Sequence, residues 1–138
     1  MANGQVSAVA VPGQEMPEGG KFNSLQELRH SPEGNVFQSE WLSAANEAGQ
    51  HVFLARLEGG DTAAYLMEAD GQLSLILKSG TSTSLGQITR VGSASNTGRG
   101  AADSIGLGLN SKGQVALTVR TADNRVTLIL LTPTVPQQ

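Results

Sequence analysis

A chain of 138 residues is long enough for one domain with its own core. Its net charge of −3, with no basic run, argues against a nucleic-acid or acidic-membrane partner, and the lack of cysteine removes disulfides, thiolate metal sites and a cysteine nucleophile. Aromatic residues are only 4% and there are 17 glycines, so the core must rely on Val, Leu, Ile and Ala, with many turns and few long helices.

The first segment, QVSAVAV at 5–11, reads as a strand. MANGQVSAVAVPG has neither the basic region nor the long apolar region of a signal peptide, so the chain reads as intracellular or as a mature or excised piece. NSLQELRH at 23–30 places Ser24 and Glu27 at capping-box spacing, which fits a helical turn or an irregular strand equally well. Residues 41–45 are expected to be extended despite their helical propensity, because the similar stretch at 105–109 contains Gly106 and Gly108. HVFLARL, TAAYLM and QLSLILK follow as strands separated by EGGD and EADG, with Asp70-Gly71 a two-residue hairpin signal. GSASNTGRGAADS at 92–104 is small and polar and reads as a surface loop. QVALTVR alternates Val115, Leu117 and Val119 with polar or small residues, and TADN turns it into RVTLILL. No apolar run approaches the roughly 18 residues of a membrane span.

The two halves echo each other. GQVSAVAV at 4–11 answers GQLSLILK at 71–78, and Gly13 and Gly19 answer Gly80 and Gly86 at the same 67-residue offset. Asn46, Gly49, Gln50 and Arg56 answer Asn110, Gly113, Gln114 and Arg120, 64 residues on. We read one domain, 1–138, containing repeats 4–70 and 71–138. The expected fold class is all-β, with two propeller-blade-like antiparallel sheets. The second repeat ends without a counterpart of QLSLILK, so the N-terminal strand at 5–11 is expected to complete it. Two blades cannot close a ring and would leave apolar faces and edges open, which implies a homo-oligomer or a piece of a longer repeat protein. The alternative is a compact monomeric sandwich or barrel.

VPGQEMPEGGKF, followed by an N-x-x-G-Q-x-V-F turn and strand, resembles the tandem repeats of a group of exported bacterial proteins. In these a G-x-x-x-P-x-G-x-F segment alternates with L-N-x-x-G-Q-V-A-F. Gly13, Pro17, Gly20 and Phe22 match the first segment, and Asn46, Gly49, Gln50 and Phe53 the second. The second repeat departs from the pattern: 81–88 lacks the Pro and Phe, and Leu117 replaces the Phe. The resemblance implies propeller-like units and an extracellular or cell-surface setting, and it supplies no catalytic residues. The chain alone leaves a cytoplasmic setting open.

Candidate chemistry is sparse. His30 and His51 lack acidic partners at ligand spacing, so each reads as a packed or rim residue, and no metal or cofactor is expected. The carboxylates are spread along loops with no evident glycosidase pair. Arg56 and Arg120 occupy the polar side of matching strands. Trp41 is the single tryptophan and sits beside Glu40; it reads as core, or as a stacking surface with Glu40 as hydrogen-bond acceptor. The resulting expectation is a non-catalytic module that self-assembles and mediates binding or surface interactions with a protein or carbohydrate ligand. A lectin-like module using Trp41 and Glu40, and a hydrolase with an unrecognised site, are the alternatives.

Overall fold

The computed structural model of the chain describes residues 8–30, 38–41, 43–92 and 107–132, with the backbone alone for 27–30 and 38–41. Among these residues the chain is all-β, without a helix. The first sheet contains β1 (Phe22–Leu25), β4 (Ser43–Ala45), β5 (His51–Leu57), β6 (Thr62–Met67) and β7 (Leu73–Lys78). The second contains β8 (Ser82–Thr83), β9 (Gly86–Val91), β10 (Leu107–Leu109), β11 (Val115–Thr121) and β12 (Val126–Leu131). Between β1 and β4 in sequence, β2 (Glu27–His30) and β3 (Gln38–Trp41) form a separate two-stranded ribbon. All pairings are antiparallel.

Both sheets are bonded on one plan. One edge of β5 is shared by β4 and β1, and β6 takes the other edge; one edge of β11 is shared by β10 and β9, and β12 takes the other. Individual main-chain bonds recur as well. Gly13 N–H donates to Phe22 O at 2.8 Å and Gly80 N–H to Ile88 O at 2.6 Å. Gln26 N–H donates to Leu54 O at 2.9 Å and Gly92 N–H to Thr118 O at 2.7 Å. The plan breaks at β7, which pairs with β6 and has no counterpart on β12 among the described residues.

The sheets stack, and the stacking explains the core. Val52, Leu54, Ala64 and Leu66 from one face of the first sheet pack with Ile88, Val91, Val115, Leu117 and Val119 of the second. The opposite face of the first sheet carries a second cluster, Phe22, Phe53, Ala55, Leu57, Ala63 and Tyr65, with Met16 from the N-terminal hairpin. Alternation along β5 therefore sends side chains into two different cores, and Val52 to Ala55 are all buried. Aliphatic and small residues fill the space between the sheets, as the scarcity of aromatics demands; each fully buried Leu or Val is worth about 1.5–3 kcal/mol over exposure.

Several expectations change on contact with the structure. The segment 23–30 is extended rather than helical, divided at Gln26 between β1 and β2; Phe22 and Leu25 both serve the second cluster although they are three residues apart, because a bulge lies between Phe22 and Ser24. The Asp70-Gly71 turn is wider than two residues, with Glu68 N–H donating to Gln72 O and Gly71 N–H to Glu68 O. The strand expected at 5–11 is not formed where it can be seen: Ala8 to Val11 carry no strand, while residues 5–7 lie outside the described residues. Ala10 packs instead against the cluster around Phe22, and the Gln14 amide binds Val9 O and Val11 N–H. That anchors the segment on the face of the first sheet opposite the second sheet, away from β12 in the same chain. The strands at 43–45 and 107–109 agree with the extended reading; most of the loop at 92–104 lies outside the described residues.

Candidate functional site

The Asn-x-x-Gly-Gln stretches form two matching polar turns. In each, the Asn N–H donates to the Gln carbonyl and the Gly N–H donates back to the Asn carbonyl. Gly49 and Gly113 sit at φ 85° and 82°, a region that costs a side-chain-bearing residue strain. Asn46 Oδ1 accepts from Ala48 N–H at 3.1 Å and Gln50 N–H at 3.0 Å; Asn110 Oδ1 accepts from Lys112 N–H at 3.0 Å and Gln114 N–H at 2.9 Å. Each Asn amide also donates to its Gln Oε1 at 2.8 Å, which orients the Gln side chain across to the next strand. Gln50 Nε2 reaches Glu68 Oε1 at 3.0 Å, and Gln114 Nε2 reaches Thr132 Oγ1 at 3.2 Å. The two turns touch, because Asn46 Nδ2 also donates to Asn110 O at 2.9 Å.

Beside these turns a cleft of about 390 Å³ opens between β7 and the end of β12, lined by Leu66, Ser74, Ile76, Val115, Leu131 and Thr132, among others. Its walls are mainly aliphatic, with two hydroxyls and no titratable side chain. Such a wall can receive apolar side chains or an extended segment; it offers no acid, base or activated nucleophile. Among the described residues no group of three or more His, Asp or Glu could hold a metal ion.

Trp41 and Glu40 lie on β3, opposite Glu27 and Leu28 of β2, and their side chains lie outside the described residues. His51 is exposed at the start of β5, a rim position, whereas Val115 at the matching place is buried. The side chain of His30 on β2 also lies outside the described residues. Arg56 is exposed, and Arg120 donates from Nη1 to Asn124 Oδ1 at 2.6 Å. At the hairpin tip, the Thr121 hydroxyl bonds the Asp123 carboxylate, and with Arg125 nearby this holds the Asp123 carboxyl below its ordinary range.

Sequence reasoning missed the polar pair that joins the sheets. Gln26 is buried, and its Nε2 donates to Val91 O at 2.9 Å and Ala55 O at 3.1 Å. Val91 N–H in turn donates to Thr62 Oγ1 at 2.8 Å, so two side chains of the first half satisfy both main-chain groups of one residue in the second. Neither residue stands in a pattern that could have flagged it. Comparison of the chain with protein-family models, curated proteins and solved structures returned no match.

Proposed function

We propose that the chain is a non-catalytic β-repeat module, with propeller-like units, that associates with copies of itself and serves as a structural or binding unit. The observation that carries this reading is a contrast between matching rows. Thr62, Ala64 and Leu66 on β6 are buried, whereas Val126, Leu128 and Leu130, 64 residues later on β12, are 49%, 65% and 61% exposed. A contiguous apolar row on an edge strand is what soluble monomers avoid and interfaces use. The resemblance to exported bacterial repeat proteins favours an extracellular or cell-surface setting. Light scattering on the purified protein tests the reading: an oligomer at micromolar concentration is expected, and a clean monomer overturns it.

A second reading, a carbohydrate-binding module, is favoured by the place of Trp41, the single tryptophan, on a ribbon that belongs to neither sheet. A glycan array should then show binding that Trp41→Ala abolishes without loss of fold; a blank array removes this reading. A hydrolase finds no support in the cleft, whose lining has no carboxylate or histidine.

A further inference from the structure

We propose that a second copy of the chain completes β12, its segment ending at Val11 adding to the outer edge of that strand in the register β7 has on β6. This rests on the self-association proposed above and names the surface that forms it.

The connection that follows β7 supplies the template. The chain leaves Lys78 and reaches Gly80, whose N–H binds Ile88 O, while Leu77 packs between the sheets with Ile88 and Val91. The chain leaving Val11 reaches Gly13, whose N–H binds Phe22 O, while Ala10 packs on the cluster that contains Phe22. Ala8 to Val11 thus hold the place beside the first sheet that β7 holds beside the second. The segment has no strand next to it among the described residues, and Val9 and Val11 are exposed.

Geometry assigns the donor to another copy. Ile129 and Leu131 of β12 pack in the cluster between the sheets, and Ala10 packs on the far face of the first sheet. One chain cannot hold its 8–11 segment on that face and also lay it along its own β12. The acceptor side is open in two respects. Among the described residues β12 pairs with β11 alone, and the cleft lined by Leu66, Ile76, Val115 and Leu131 lies where side chains of an added strand would point. The row of Val126, Leu128 and Leu130 then faces the copy that supplies the strand, as Thr62, Ala64 and Leu66 face the sheet that follows β7. This arrangement is head-to-tail, so it closes into a ring or grows as a filament.

The register is specific. Leu77 lies opposite Ala64 and Lys78 opposite Ala63, which places Ala10 opposite Leu128 and Val11 opposite Thr127. Facing residues in an antiparallel ladder have Cα atoms about 4.5–5.5 Å apart, within disulfide range. The chain has no cysteine, so single-cysteine variants report cleanly. An equal mixture of Val11→Cys and Thr127→Cys, mildly oxidised, should give the covalent heterodimer as its main product. A heterodimer no more abundant than either homodimer overturns the proposal. The double variant should give ladders of linked copies, and closure within one chain overturns the proposal. Leu128→Lys combined with Leu130→Lys alters only exposed positions; it should keep the circular dichroism of the fold and cut heterodimer yield at least tenfold, and an unchanged yield counts against the proposal. If the unmodified protein is oligomeric but the heterodimer fails, this interface falls and self-association stands; if it is monomeric, both fall.

Discussion

Asn46 Nδ2 donates to the main-chain carbonyl of Asn110 at 2.9 Å, so two turns written alike and 64 residues apart meet at one end of the sheet stack. The bond is not reciprocal: the Asn110 side chain serves its own turn through Gln114, Lys112 and the Gln114 main chain.

This asymmetry separates two otherwise equal substitutions. Asn110→Ala should lower stability by about 1 kcal/mol, the cost of losing the local side-chain bonds that hold the turn. Asn46→Ala should cost somewhat more, because Asn110 O also loses the Asn46 amide as a second donor while Gly113 N–H still serves it. In a urea-denaturation cycle the double variant should fall short of the sum of the singles, as expected for residues in one network.

Gln26→Leu roughly keeps the volume and removes the side-chain donor that serves Val91 O among the described residues. A buried carbonyl left without its donor costs about 2 kcal/mol. Chemical denaturation should show that loss, with amide exchange quickening first in β9. An unchanged midpoint would mean that the bond contributes nothing net.

Gly92 has φ 80°, and a Cβ there would overlap Leu54 Cδ1 and crowd Gln26 Oε1. Gly92→Ala therefore combines left-handed strain with overpacking between the sheets and should destabilise by about 3 kcal/mol. Gly80→Ala shares the strain but meets nothing within 4 Å, so it should cost less. Thermal melts of the two variants test the order.

Tyr65 is fully buried, its hydroxyl has no hydrogen-bond partner among the described residues, and burial raises its pKa above the ordinary 10.0. The folded state then holds the proton more tightly than the unfolded one. Stability is fully present below pH 10.0 and falls as pH rises from there through the folded pKa. Tyr65→Phe should be neutral or stabilising by about 1 kcal/mol at pH 7, since it removes an unpaired polar atom. It should also flatten the alkaline decline, measured by urea midpoints from pH 8 to pH 11.

Strands β5, β6, β7, β11 and β12 could be read from the chain because their alternation, or their continuous apolar run, is set by burial on a pleated surface. The Asn-x-x-Gly-Gln turns were readable for a local reason: the Asn side chain closes the turn that the Gly conformation permits. Strands β1 and β9 were harder. A bulge in each puts Phe22 with Leu25, and Ile88 with Val91, on one face at a spacing of three, which imitates a helix. The candidate site was legible only in its polar rim; the cleft, the Gln26–Val91–Thr62 tie and the open row on β12 were not.

Local chemistry in the sequence determined which segments are strands, where they turn, and that the two halves share a turn. The tertiary structure alone decided which face of each sheet meets the other. It also decided that residues 8–11 pack on the face of the first sheet away from β12. The reason is physical: alternation tells which residues share a face, but only the packing of one sheet on another chooses the face that is buried.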